Sequence, residues 1–282
     1  MIPNNTAKTF GPIETNIVAR LTYEKKLIVT AEELDQLFKL APEDRKQVVF
    51  RLKRKKILNP IKRGVYAFSP LEAGPEGTGI DEMLIPPLFF PKKNYYVGYS
   101  TMFNYYGFSE QLFQTVYVLN TTLRMEKIIC GISYKFIRIP ESRIYGQEII
   151  KVKNTDVLVS SKERTLIDLL YFNKPVGGIN SAVQIFKQVV KEKKCEIRKL
   201  VQCAARFPNI TTRKRIGLIL DDLRITGTIL SPLIKSVEKT ALSSFTGSRK
   251  GTLNKKWRVI VNPPAKDSLP RRQAGALEKR AS

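Results

Sequence analysis

The chain has 282 residues, with 49 Lys and Arg against 25 Asp and Glu, a formal net charge of +24. Combined with 43% hydrophobic content, this excludes full-length disorder and points to a polyanionic partner: DNA, RNA or an anionic membrane surface. Histidine is absent, which excludes Ser-His-Asp and Cys-His nucleophile systems, His-ligated zinc and imidazole acid–base chemistry. Cys130, Cys195 and Cys203 are widely separated and lack CxxC spacing, so they read as reduced thiols. Residues 1–10 lack a signal-type apolar core, and no run approaches about 18 apolar residues. A soluble, cytoplasmic protein is expected.

In chain order, Ile17, Val18 and Leu21 recur at helical spacing and predict a first helix over residues 14–23, followed by a short β-branched stretch at 27–29. Thr30, with Glu33 three residues on, has the form of a capping box. A second helix is expected over residues 31–40, with Leu34, Leu37 and Phe38 on one face. Pro42 suits the first turn of a third helix, EDRKQVVFRLKRKK, over residues 43–56. In that helix Val48, Val49 and Leu52 gather on one side, and Lys46, Gln47, Phe50, Arg51, Lys53 and Arg54 occupy the rest. Ile57-Leu58, Asn59-Pro60, the basic turn Lys62-Arg63-Gly64 and residues 65–68 then predict a two-stranded hairpin. Three helices and a hairpin make a winged helix-turn-helix over residues 1–68.

Residues 69–79, with Pro70, Gly74, Pro75 and Gly77, read as a linker to a larger domain over residues 80–261. That domain opens with helices at 80–90 and 100–106, the second ending at Gly107. β-rich runs follow at 115–119, 125–129, 134–139, 148–152 and 156–159. No long crossover helix separates them, so a mostly antiparallel sheet is expected. Ser160 is the expected cap of a helix over 162–172, with Glu163 in the capping-box position. Further helices are expected at 179–193, 195–207, 212–223 and 232–242, a strand at 257–261, and a flexible basic tail at 262–282. The fold class is therefore α+β, an N-terminal winged helix-turn-helix joined to a larger C-terminal domain of a mostly antiparallel sheet and several helices.

A recognition helix must pack one face on its neighbours and present donors on the other. On the third helix Gln47 suits adenine, Arg51 or Arg54 suits guanine, and Phe50 suits a thymine methyl. Lys46, Lys53, Lys62 and Arg63 suit phosphates. Other motifs carry less chemistry. Ser161, Lys162, Glu163 and Asp168 in SSKERTLIDLL are explained by a helix cap and an Arg164–Asp168 pair one turn apart rather than by a catalytic dyad. Asp156 and Lys162 lack a nuclease spacing. GSRKGT at 247–252 lacks the GxxxxGK[ST] spacing of a phosphate loop and reads as a basic surface loop. Tyr95, Tyr96, Tyr99, Phe103, Tyr105 and Tyr106 have two readings, a stacking platform for RNA bases or core.

Two regions carry a family resemblance. RKQVVFRLKRKKILNPIKRGVYAFSP, together with YYVGYSTMFNYYGF, QTVYVLNTTLR and VLVSSKERTLIDLL in that order, resembles the AbiEi family, the antitoxin and transcriptional regulator of bacterial type IV abortive-infection toxin–antitoxin systems. The likeness spans roughly residues 14–242, and SLPRRQAGALEKRAS at the C-terminus departs from it. The resemblance implies an N-terminal domain that binds inverted repeats in its own promoter and represses transcription, and a C-terminal domain that counteracts a nucleotidyltransferase-like toxin. It places Lys46, Gln47, Arg51, Arg54, Lys62 and Arg63 on the DNA-contacting elements and transfers no catalytic residue.

The sequence thus points to a non-enzymatic, sequence-specific repressor and antitoxin without cofactor or metal. Its contact set is Lys46, Gln47, Phe50, Arg51, Lys53, Arg54, Lys62 and Arg63, and its partners are double-stranded DNA and a cognate toxin, with no membrane. An RNA-binding protein using the basic C-terminal domain is the second reading, and a metal-dependent nuclease the third.

Overall fold

A computed structural model describes residues 9–73 and 79–261. Part of the expected linker and the whole expected tail lie outside the described residues. The fold is α+β, and the chain divides into two compact units at Leu169/Leu170. The boundaries that composition suggests, at residues 68 and 80, fall inside the first unit.

The first unit opens with α1 (Pro12–Tyr23), β1 (Ile28–Thr30), α2 (Ala31–Phe38), α3 (Pro42–Arg54), β2 (Leu58–Lys62) and β3 (Val65–Phe68). The capping box written in the sequence at the start of α2 forms as expected. Thr30 accepts from Glu33 N at 3.1 Å, and the Glu33 carboxylate accepts from Thr30 N at 2.8 Å, so both orphan donors are satisfied. Pro12 and Pro42 occupy first-turn positions of α1 and α3, where no N–H is needed. Ile17, Val18 and Leu21 of α1, Leu34 of α2, and Val48, Val49 and Leu52 of α3 close one core together with Leu58 and Phe68. β3 lies between β1 and β2 in an antiparallel sheet.

The β2–β3 hairpin faces two ways. Ile61, three residues after Leu58, faces the opposite side by strand alternation, and a register shift between Pro60 and Lys62 sets Lys62 opposite Val65. Ile61, Val65 and Ala67 consequently belong to a second core, shared with a six-stranded sheet, while Leu58 and Phe68 stay in the first.

That second part of the unit consists of α4 (Pro86–Phe89), β4 (Tyr95–Gly98), α5 (Ser100–Tyr105), β5 (Thr115–Asn120), β6 (Met125–Ile129), β7 (Ile132–Arg138), β8 (Gln147–Val152), β9 (Thr155–Ser160) and most of α6 (Lys162–Tyr171). The helix expected over residues 80–90 is broken into a 3₁₀ turn at Glu82–Leu84 and the single turn of α4. The strand order is β6-β7-β5-β4-β9-β8. Three of its five strand pairs are antiparallel, as expected, and two are parallel: β5 runs parallel to β7, and β4 to β9. The missing crossover helix did not exclude a parallel pair. β6 itself returns the chain along the sheet edge, and its hairpin inserts β7 beside β5.

The second unit contains α7 (Ile179–Lys191), α8 (Ile197–Ala205), α9 (Ile210–Asp222), α10 (Ser231–Lys235) and a small sheet of β10 (Ser243–Ser244), β11 (Thr252–Asn254) and β12 (Val259–Val261). α10 is far shorter than the helix expected over 232–242, and β12 starts two residues later than expected. Trp257, the residue expected to open that strand, is fully buried against Gly217 of α9 and donates from Nε1 to Asp221 at 2.6 Å.

Candidate nucleic-acid interface

α3 divides as its sequence predicts. Val48, Val49 and Leu52 are buried, whereas Lys46, Gln47, Phe50, Arg51, Lys53 and Arg54 are exposed. Gln47 and Lys53 have no side-chain partner among the described residues, and Lys46 is held by Glu43 one turn back at 2.6 Å. Phe50 is 60% exposed, an apolar ring left in water. Arg54 lies with its guanidinium 6.0 Å from the Phe50 ring centroid, on the same exposed stripe.

Beside α3 the β2–β3 turn presents Arg63, exposed, at Gly64, whose φ of +73° supplies the left-handed backbone the turn requires. Between turn and helix lies a groove of about 660 Å³ lined by Arg45, Lys46, Val49, Phe50, Lys53 and Arg63, with Glu32 at its rim. Of its four cations, Arg45 and Lys46 are paired with Asp35 and Glu43, and Lys53 and Arg63 are left to meet a phosphodiester.

Two expected contacts also have protein partners, and Arg51 is still 47% exposed. Arg51 donates from Nε to Glu14 of α1 at 2.5 Å, on the flank where α3 meets α1. Lys62 donates to the Leu88 carbonyl at 2.5 Å and lies 5.7 Å from the Phe89 ring centroid, toward the six-stranded sheet. The signal for Arg51 was in the sequence. Glu14 stands on the apolar face of α1 with Ile17, Val18 and Leu21, and a carboxylate on a buried face demands cations. Lys55 and Arg51 supply them. Burial pushes the Glu14 carboxyl up, but hydrogen bonds from Lys55, Arg51 and the Gly11 N–H outweigh it and hold the group below its usual range.

The aromatic cluster is core rather than a platform. Tyr95, Tyr96, Tyr99 and Phe103 are buried, and the Tyr106 hydroxyl donates to the Glu148 carboxylate at 2.6 Å and lies 2.8 Å from Ser160 O. Only Tyr105 of the six is largely exposed. The cap of α6 is Ser161, whose hydroxyl accepts from Arg164 N at 3.2 Å, not Ser160, whose hydroxyl meets Thr165 at 2.7 Å. Arg164 and Asp168 form the expected pair at 3.2 Å, but fully buried. The remaining guanidinium donors reach Arg143 O, Tyr145 O and the Tyr96 hydroxyl. Asp168 is thus committed to the Arg164 guanidinium as a buried ion pair.

In the second unit, residues 170–261 contain 19 Lys and Arg against 5 Asp and Glu, so much of the charge excess lies outside α3. Gly247, Ser248, Arg249, Lys250 and Gly251 form an exposed loop pinned by the Ser244 hydroxyl, which accepts from Gly247 N at 2.9 Å. Among the described residues no helix is long and apolar enough to cross a membrane.

No family model matches the chain, and no curated protein does. Among solved structures its fold is similar to that of the RV2827C protein from Mycobacterium tuberculosis, with a TM-score of 0.64 and 14% identity over 92% of this chain and 94% of that one. At that identity the likeness concerns the fold alone.

Proposed function

We propose that residues 12–68 are a winged helix-turn-helix, with α3 as recognition helix and the β2–β3 turn as wing, and that the chain is a non-enzymatic, sequence-specific DNA-binding repressor. The observation that carries this reading is the exposed stripe of Lys46, Gln47, Phe50, Lys53 and Arg54 beside Arg63. The stripe combines amide, guanidinium and aromatic groups able to read base edges with ammonium groups for phosphates. Gln47 and Arg54 are the reading residues, Phe50 the thymine-methyl contact, and Lys46, Lys53 and Arg63 the phosphate contacts. Arg51 and Lys62 position α3 and the wing through their protein partners.

The antitoxin role, autoregulation of a toxin–antitoxin operon and action against a nucleotidyltransferase-like toxin, rests on the sequence resemblance to AbiEi proteins. The buried tyrosines give no support to a base-stacking RNA mode. The test is a fluorescence-anisotropy titration of a duplex from the protein's own upstream region against a scrambled duplex, at two salt concentrations. Preference for the upstream duplex is expected to survive the higher salt, because base contacts discriminate while phosphate contacts are screened. Equal, salt-labile binding to both duplexes rejects specific repression.

A further inference from the structure

At the end of the six-stranded sheet where β5 and β7 leave it lies a groove of about 1170 Å³, by volume larger than the groove beside α3. We infer that this groove, between Arg124 and Arg138, binds a ligand that carries two anionic groups, phosphate or carboxylate, on an apolar body.

Its construction is unlike that of a casual surface dip. Asn120, fully buried at the end of β5, organises both walls. Its Oδ1 accepts from Thr122 N at 2.9 Å and Leu123 N at 2.5 Å, and its Nδ2 donates to Leu123 O at 3.0 Å and Ile137 O at 3.3 Å. Its own carbonyl accepts from Ile139 N at 2.7 Å. One side chain therefore fixes the loop that carries Thr121, Thr122 and Arg124 and the strand end that carries Arg138 and Ile139. Thr121 is held in turn by Asn94 Nδ2 at 2.7 Å. Walls set this way are ordered before any ligand arrives, which lowers the entropic cost of binding.

The charge pattern selects the ligand. Arg124 and Arg138 are exposed, line the groove and have no side-chain partner among the described residues. A carboxylate, Glu126, also lines it, but Lys135 neutralises Glu126 at 2.5 Å. Glu141 at the far rim leaves an excess of one positive charge in the whole lining. Two planar guanidinium forks match phosphate or carboxylate oxygens in paired hydrogen bonds. Met125, Ile137, Ile139 and Pro140 add apolar lining to the same groove. The site is independent of the DNA-binding reading, since it uses no residue of α3 or of the β2–β3 turn.

The experiment is isothermal titration of the full chain with two probes, inorganic tripolyphosphate and citrate, which separate phosphate from carboxylate ligands. At least one is expected to bind one to one. R124A/R138A lowers its affinity at least tenfold, whereas K191A/K235A, which removes the same charge from exposed sites on the second unit, leaves it within twofold. R124K/R138K, which keeps charge but not the forks, is expected to fall between them, and circular dichroism melts check that each variant folds. The inference is overturned if neither probe binds one to one, or if the two double-alanine variants lose affinity alike. Loss of promoter preference alone leaves these titrations unchanged, so the two readings fail separately.

Discussion

Glu14 on α1 accepts a hydrogen bond from Arg51 Nε on α3 at 2.5 Å while its own side chain is only 2% exposed. With Lys55 on its other oxygen, it clamps α3 to α1 beside the apolar contact of Val48 and Leu52 with α1's inner face. Replacing Glu14 by Gln is expected to destabilise the protein by about 1.5–3 kcal/mol at neutral pH, the range for hydrogen bonds to charged groups. The Glu14 carboxyl is held below its usual range in the folded state, so its contribution is complete above the unfolded value of about 4.5. It is lost as pH falls through the lower, folded value. Urea melts of the wild type and E14Q at pH 7 and pH 3 should show the gap narrowing in acid; a constant gap contradicts the clamp.

Arg51→Ala follows from the same contact. It is expected to weaken binding to all duplexes by a similar factor and to lower stability by about 1–2 kcal/mol, leaving base preference unchanged. Arg54→Ala, on the outward stripe, is expected to relax preference at one base position at a cost of about 1–3 kcal/mol. Binding to a panel of single-base operator variants distinguishes the two; a preference change in R51A would move that residue to the base-reading set.

The two basic residues of the β2–β3 turn separate by salt dependence. Arg63→Ala should reduce the slope of log K against log salt by about 0.9, one phosphate contact. Lys62→Ala, which removes a hydrogen bond to Leu88 O, should leave the slope where it was. Anisotropy titrations over a salt series measure both, and equal slope changes would put Lys62 on the phosphate.

Asp168→Ala is expected to cost about 3–5 kcal/mol, because it strands a guanidinium inside the first unit. Arg164 is fully buried and has other acceptors, but they are neutral. Tyr96→Phe, which removes only one of those acceptors, should cost about 1 kcal/mol. Chemical denaturation of both variants tests the ranking.

Gly217→Ala probes the second unit. A Cβ there would stand 2.1 Å from Trp257 Cζ3, so the indole must shift and its bond to Asp221 must lengthen or break. A loss of about 1–3 kcal/mol is expected, as for overpacked cores. Since the chain has one Trp, the displacement should appear as a red shift of its fluorescence, and an unchanged spectrum would refute the packing.

Most of the longer helices, the Thr30–Glu33 cap and the outward stripe of α3 were legible because they depend on neighbours within one or two turns. Thr30 and Glu33, or Val48, Val49 and Leu52, are read directly from spacing. What escaped depends on partners far along the chain. Arg51 looks like a base reader until Glu14, 37 residues earlier, is placed beside it. Lys62 looks like a phosphate contact until Leu88 is. β4 went unread because YYVG, buried throughout, shows no alternation and was dominated by its tyrosines. The parallel pairs β5–β7 and β4–β9 were hidden for the same reason: strand order is a long-range property that spacing does not carry.

Val65 and Ala67 alternate with Tyr66 and Phe68 so that one strand serves two cores. The β2–β3 hairpin is a party wall. Cut away at residue 73, the helical part would carry a bare strip of Ile61, Val65 and Ala67 into water, an edge suited to self-association. Melting should therefore run through both parts of the first unit as a single transition, and dissecting the protein at the composition boundary would give a fragment prone to aggregate.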